Sequence, residues 1–333
     1  MINTKKIPKI LKNTSIILII FFILILVCNK LLMKPDFSEN IIYACSINNG
    51  IYEIDSKNFS VIRETKIKNI FDIDITEDGV IFGIQDRIDP AYKEVFVFKD
   101  GKVKEYIPLT YTVMDKIKYN EYDKNMYVSQ TSKITESQEN CITVIDTKKL
   151  EESKNIMYED YIHDFTFDDN GNIITVSSNI DGEFRIDMID KDNEDIFKTI
   201  ALEKKFNNII YLNRKIYLSS NTNEIKVYDL DKEIWSEIIL DHDYAYTMQI
   251  YENKIYITHS NEDDLTGKYI SILDLSNDNI KTVLVSDDVD YNHYCMVLKN
   301  QNIITSDLKG KYILNHETNK KLNIQGITKM ITN

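Results

Sequence analysis

The sequence predicts an all-β protein made of seven repeats of a four-stranded unit, and three observations support this prediction. A pair of apolar strands, joined by a short acidic or Asn-containing turn, recurs over residues 41–332 of the 333-residue chain. The copies follow one another at a regular interval, and the sequence between them has no helical periodicity. The first repeat lacks one strand, and a matching strand occurs at the other end of the chain.

The repeat is clearest in FDIDITEDGVIFGI (71–84), DFTFDDNGNIITVSS (164–178) and NIIYLNRKIYLSS (208–220). Alignment of the second strand places seven apolar residues in register: Ile42, Ile81, Met126, Ile173, Ile216, Ile255 and Ile303. Successive members are 39 to 48 residues apart, with a mean of about 43.5. This is the length of a four-stranded propeller blade, and it is too long for leucine-rich or ankyrin repeats.

The two ends of the domain predict how the ring closes. The first repeat opens directly at a second strand, IIYACS (41–46), whereas GITKMIT (326–332) is a first strand with no blade after it. A C-terminal strand that completes the first blade removes the free sheet edges. We therefore predict a closed seven-bladed β-propeller over residues 41–333.

This strand order and period resemble the YVTN-type and WD-repeat-like propeller superfamily over essentially all of residues 41–332. The Gly-His and Trp-Asp signatures of true WD repeats are absent, and the single Trp, Trp235, falls in a fourth strand. The resemblance implies the fold. It implies little about activity, because such propellers include binders, scaffolds, lactonases, lyases and hydrolases.

The N-terminal segment predicts one transmembrane helix in front of the propeller. An apolar run from Ile16 to Cys28 follows four lysines and is nearly extended to spanning length by residues 31–33. We expect residues 1–14 to be cytoplasmic, 15–33 to be the anchor and 34–40 to be a linker. Lipid attachment at Cys28 is an alternative, although the preceding Val27 is bulky. The propeller is then extracellular on a single-pass membrane protein, and the composition is typical of low-GC Gram-positive bacteria.

Charge narrows the choice of partners. The whole chain has a formal net charge of −13, and residues 35–333 hold 34 basic against 53 acidic side chains. A domain this acidic repels phosphate backbones, so nucleic acid is not an expected partner. A cationic ligand, a metal ion or a neutral sugar is electrostatically easier to bind.

Most His and many Tyr residues fall in the loops that crowd one end of the predicted ring, which we call the upper face. Aromatic faces beside carboxylates suit sugars or cationic peptide groups, through stacking, hydrogen bonding and cation–π attraction. The candidate ligand-binding residues are Tyr161, His163, Asp164, His242, Tyr244, Tyr246, His259, Asp290, Tyr291 and His293. The leading hypothesis is a binding or scaffolding module for an envelope polymer, peptide or protein partner.

Two other interpretations compete for the upper face. His and Asp side chains from different blades could hold a Ca²⁺ or Zn²⁺ ion that activates water, as in a lactonase-like hydrolase or lyase. Alternatively, the acidic loops simply solvate a rim. No nucleophile elbow is present, so catalysis is less expected than binding, and no catalytic residue, metal ligand or cofactor is assigned. The recurring hydroxyls of Ser46, Ser129, Ser177 and Ser219 are expected to be structural.

Overall fold

The strands of the described chain form seven antiparallel sheets of four strands each, which we call blades 1 to 7. The structure is a computed structural model, and it describes residues 41–85, 93–130, 140–259, 268–277, 279–284, 293–299, 302–307 and 312–332. The all-β, seven-bladed propeller predicted from the sequence is confirmed. The predicted segments 1–14, 15–33 and 34–40 lie outside the described residues. Among the residues described, no helix has the length and apolar character that crossing a membrane requires.

In the first four blades, the strands are given from the centre outwards. Blade 1 contains β28 (Ile327–Thr332), β1 (Ile41–Ser46), β2 (Gly50–Asp55) and β3 (Ser60–Thr65). Blade 2 contains β4 (Ile70–Ile75), β5 (Ile81–Gln85), β6 (Glu94–Lys99) and β7 (Lys102–Pro108). Blade 3 contains β8 (Met114–Asn120), β9 (Asn125–Gln130), β10 (Asn140–Asp146) and β11 (Glu151–Tyr158). Blade 4 contains β12 (Tyr161–Phe167), β13 (Ile173–Ser178), β14 (Phe184–Ile189) and β15 (Ile196–Leu202).

The remaining blades follow the same order. Blade 5 contains β16 (Asn208–Leu212), β17 (Lys215–Ser219), β18 (Glu224–Asp229) and β19 (Ile234–Ile239). Blade 6 contains β20 (Ala245–Tyr251), β21 (Lys254–His259), β22 (Tyr269–Asp274) and β23 (Asn279–Leu284). Blade 7 contains β24 (His293–Lys299), β25 (Asn302–Asp307), β26 (Ile313–Asn315) and β27 (Lys320–Leu322).

Burial explains the repeat that the sequence shows. All seven aligned apolar residues lie in second strands, which have neighbours on both edges and sheets packed against both faces. In β5, for example, every residue is buried, whereas the fourth strand β3 is mostly exposed. Gly83 is required in β5 because a Cβ there would come within 2.1 Å of the Phe96 ring. Apolar pattern and blade position therefore correspond strand by strand.

The predicted closure of the ring is confirmed. The last strand, β28, pairs antiparallel with β1, so that Ala44 faces Met330 and Ile42 faces Thr332. Ser46 adds a side-chain bond, because its Oγ donates to the Gln325 carbonyl oxygen at 2.6 Å. β28 also contacts β24 of blade 7 and β4 of blade 2, so the innermost strands continue around the ring at this junction.

The recurring hydroxyls and two of the cysteines have structural roles. Ser219 Oγ donates to the carbonyl oxygen of Tyr246 at 2.9 Å, which joins blade 5 to blade 6. The thiols of Cys45 and Cys141 are buried, and Cys45 Sγ lies 3.1 Å from Thr328 Oγ1. These contacts fit the structural roles expected for hydroxyls and thiols in buried strands.

Candidate functional site

The innermost strands enclose the central channel, and several of them carry a β-bulge near the end at which they begin. The pairing register shifts at Phe71 in β4, at Asp115 in β8 and at His163 in β12. In β20 the shift falls between Ala245 and Met248. A bulge inserts a residue and redirects the side chains around it, so these irregularities change which side chains line the channel.

The channel holds a cavity of about 320 Å³, which we call the channel cavity. This volume lies at the lower end of the range for small-ligand sites, about 300–1,000 Å³. Its lining comes from five blades and mixes charged, amide, hydroxyl and apolar groups. The lining residues are Phe71, Asp72, Asp74, Lys116, Asn207, Asn208, Tyr246, Thr247, Met248, Gln249, Thr328, Lys329, Met330 and Ile331.

Two ion pairs join neighbouring blades at the channel. Lys118 Nζ lies 2.7 Å from Asp164 Oδ1, and it also donates to the carbonyl oxygen of Phe165. Lys329 Nζ lies 3.3 Å from Asp72 Oδ1. The carboxylates of Asp72 and Asp164 are almost fully buried, whereas the side chains of Lys329 and Lys118 are partly exposed, so water reaches both pairs from the lysine side.

The channel aspartates also bind the backbone of the next blade. Asp72 Oδ2 accepts a bond from the Ile117 amide at 3.1 Å, and Asp164 Oδ2 accepts one from the Ile209 amide, also at 3.1 Å. Both aspartates therefore occupy the same place in the repeat. Their carboxylates satisfy backbone donors that would otherwise be buried without a partner.

The environment shifts the pKa values of these groups in different directions. Burial raises the pKa of Asp74, and Lys329 and two backbone amides offset only part of the rise. Burial also acts to raise the pKa of Asp164, but Lys118 and Lys116 outweigh it and hold that pKa below its ordinary value.

The paired lysines differ in the same way. Burial lowers the pKa of Lys118 despite its partner Asp164. For Lys329, burial acts in that direction too, but Asp72 and Asp74 outweigh it and raise the pKa.

On the upper face, the structure brings Tyr161 and His163 together. Their rings meet edge to face with centroids 4.7 Å apart, and Tyr161 donates to Asp115 Oδ2 at 3.4 Å. His163 Nε2 lies 3.0 Å from Ser178 Oγ. The ring of Phe184 lies beyond, 6.0 Å from that of His163. This cluster has the aromatic and acceptor groups that the sequence predicted for blade 4.

A second cluster occupies the corresponding end of blade 6. His242 stacks on Tyr269 with ring centroids 3.7 Å apart, and its ring meets that of His259 at 5.8 Å. His259 is fully buried, and its two ring nitrogens contact the Asp243 carbonyl oxygen and Ser271 Oγ, each at 2.8 Å. Burial lowers the pKa of His259. These contacts give His259 a structural role within the blade.

The other predicted site residues are placed as follows. Tyr246 lines the channel cavity, and Asp164 lies in the channel rather than on the rim. Tyr244 is half-buried and has a left-handed backbone, with φ of 63°. Asp290 and Tyr291 lie outside the described residues. His293 begins β24, and its side chain is also outside the described part.

Sequence reasoning missed the channel lysines and Gln249. A signal for the lysines was present, because DKIKY in β8 and ITKM in β28 place Lys inside strands that should be innermost. Gln249 gave no comparable signal, since one amide in a strand is common. Within the described ranges, no three His, Cys, Asp or Glu side chains are grouped as a metal site would need.

Comparison with known proteins leaves the sequence family open and defines the fold. No protein-family model matches the chain, and no curated protein matches it significantly in sequence. Solved structures do match. The periplasmic gluconolactonase of Pseudomonas aeruginosa has a TM-score of 0.65 at 8% identity, with 87% of this chain and 98% of that chain covered.

Two further structures show the same architecture. A Bacteroides fragilis protein described as a 6-phosphogluconolactonase has a TM-score of 0.63 at 11% identity, with 90% of this chain and 99% of that chain covered. A chain of Kuenenia stuttgartiensis hydrazine synthase has a TM-score of 0.61 at 14% identity, with 85% and 89% covered. At these identities the likeness establishes a seven-bladed β-propeller fold and nothing about chemistry.

Proposed function

We propose that this chain is a binding propeller that holds part of its ligand in the channel cavity. The observation that carries this proposal is the cavity itself, about 320 Å³ in volume and lined by polar side chains from five blades. The ion pairs at the channel join neighbouring blades, but the cavity wall also holds polar groups that join none among the described residues, such as the buried Gln249 Oε1, and burying such groups costs free energy. Binding offers a reason to keep them there.

The upper face extends this site in the proposal. Tyr161 and His163 present ring faces and edges beside Asp115, a combination that suits a sugar or a peptide group. With the predicted anchor at 15–33, the propeller would face outward from the cell membrane. The ligand would then be an envelope polymer, a peptide or a partner protein.

Hydrolysis of a lactone is the second candidate. Two of the structurally similar proteins are described as lactonases, and this is the observation that favours it. A metal-dependent version predicts tightly bound Ca²⁺ or Zn²⁺ at one ion per purified chain. Elemental analysis that finds neither ion would remove that version.

The binding proposal is tested with the full chain in detergent micelles and four small probes of different charge. These are N-acetyl-D-glucosamine, D-glucosamine, D-glucuronate and the dipeptide Ala-Ala, observed by saturation-transfer NMR. We expect at least one probe to bind, and Tyr246→Ala to weaken that binding at least about tenfold by removing a cavity wall. Tyr106→Ala, at an exposed outer strand, is the matched control.

Two results would overturn the binding proposal. One is the absence of binding by all four probes. The other is a Tyr246→Ala protein that melts like the parent chain and binds the probe as tightly.

A further inference from the structure

We infer that the channel cavity binds a hydroxylated carboxylic acid, such as a uronic-acid unit, with its carboxylate at Lys116 and a hydroxyl at Gln249. This inference rests on the proposed binding function and deepens it by naming the ligand class. Two independent observations, one for each residue, lead to it.

Lys116 is the channel lysine that forms no ion pair with any of the described residues. Its companions Lys118 and Lys329 are paired with Asp164 and Asp72, respectively. Lys116 lines the cavity and is half-buried, and its Nζ has no side-chain hydrogen bond within the described ranges. The Asp164 carboxylate, which is paired with Lys118, acts on Lys116 only at longer range. An ammonium group in that position is a ready partner for a carboxylate.

The backbone around Lys116 holds it in place. Asp115 is the bulged residue of β8, and the next amide, that of Lys116, donates to Ser129 Oγ at 3.1 Å. The bulge interrupts the regular alternation of side chains between the two faces of β8 just before Lys116. The position of the side chain is thus set by a local irregularity rather than by regular strand geometry.

Gln249 supplies an acceptor that lacks a donor. Its Oε1 is buried, and among the described residues no hydrogen-bond partner reaches it. Gln249 lines the same cavity as Lys116. A buried oxygen of this kind is costly unless something donates to it, and a ligand hydroxyl placed in the cavity would do so.

The rest of the lining favours one negative charge and several hydroxyls. Thr247, Asn207 and Tyr246 offer further polar contacts in the cavity wall. Three lysines face three aspartates at the channel, Asp72, Asp74 and Asp164, but burial raises the pKa of Asp74 and so favours its neutral form. With Asp74 protonated, one positive charge is in excess, which a single carboxylate balances and a dianion would exceed. The negative net charge of the domain opposes any anion, and it opposes a doubly charged phosphate ester more than a carboxylate.

The test compares D-glucuronate with D-glucose, which share most hydroxyls and differ in charge, by calorimetric titration of the full chain. The parent protein is expected to prefer D-glucuronate, with weaker binding as NaCl is raised. Lys116→Gln should weaken D-glucuronate binding at least about tenfold and leave D-glucose binding unchanged, whereas Lys116→Arg should retain the preference. Gln249→Leu should weaken both sugars, and Lys57→Gln, at an exposed turn, is the control.

The outcomes separate this inference from the binding proposal. Equal affinity for the two sugars, or an unchanged preference in Lys116→Gln, would overturn the inference while binding itself stands. Binding of Ala-Ala in place of D-glucuronate would do the same. If no probe binds, both proposals fail. Melting temperatures of the variants establish that each remains folded.

Discussion

Lys329 on the last strand of the chain forms an ion pair with Asp72 on the first strand of blade 2, with Nζ and Oδ1 3.3 Å apart. The strand that closes the ring therefore also supplies a charge to the central channel. Because the Asp72 carboxylate also accepts the Ile117 amide, one buried group connects blades 1, 2 and 3. The same strand thus closes the propeller and contributes a charged side chain to the candidate site.

Removal of residues 326–333 should abolish cooperative unfolding of the domain. The deletion exposes the edge of β1 that pairs with β28, and it takes Ile327 and Met330 out of a buried cluster. Thermal unfolding followed by the fluorescence of Trp235 would measure this, with removal of Asn333 alone as the control. A truncated chain with an unchanged transition would contradict the closure that the structure shows.

At neutral pH, Asp164→Asn should lower the free energy of unfolding much more than Asp74→Asn does. The pKa of Asp164 is lowered when folded, so its charged form stabilises the fold above the ordinary Asp value of about 4 and that contribution is lost as pH falls. Leaving Lys118 buried without its partner costs roughly 3–5 kcal/mol. The pKa of Asp74 is raised, so its charged form is the disfavoured one and its loss costs less.

Urea unfolding of both variants from pH 7 to pH 3 checks this prediction. Asp164→Asn should flatten the loss of stability at low pH relative to the parent chain. Equal destabilisation by the two substitutions at pH 7 would show that the Lys118 pair is not the dominant effect.

Acidification should destabilise blade 6 through His259. Burial lowers the pKa of this imidazole, so that His259 takes up a proton at a higher pH in the unfolded chain than in the folded chain. The free energy of unfolding therefore falls as the pH drops below about 6.5, the ordinary pKa of His. His259→Gln should reduce the slope of stability against pH in that range. His316→Gln, at the His that bonds Thr305 in blade 7, serves for comparison. An unchanged slope in His259→Gln would contradict a neutral, buried imidazole.

Gly83→Ala should destabilise blade 2 by about 1–3 kcal/mol, the usual cost of overpacking a core. The new Cβ would collide with the ring of Phe96, which is fully buried. Adding Phe96→Leu should recover part of the loss, and a double-mutant cycle in urea would measure that coupling. Additive effects of the two substitutions would mean that the backbone, and not the ring, accommodates the methyl group.

The sequence alone determined the number of blades and the manner of closure. Each of the seven second strands must bury both of its faces between neighbouring sheets. Its residues are therefore mostly apolar, and this local pattern recurs seven times in the sequence. The unmatched segments at 41–46 and 326–332 had one partner each, so their pairing followed from the repeat.

Only the tertiary structure decided where the candidate site lies. Lys116 and Gln249 belong to blades 3 and 6, and no local pattern indicates that both line one cavity. The sequence assigned Tyr161, His163 and Asp164 to one candidate site on the upper face, and in the structure the rings of Tyr161 and His163 are in contact on β12. The bulge at His163 and the ion pair with Lys118 put the Asp164 carboxylate in the channel. Convergence of side chains from distant repeats depends on the closed ring, which is a property of the whole domain.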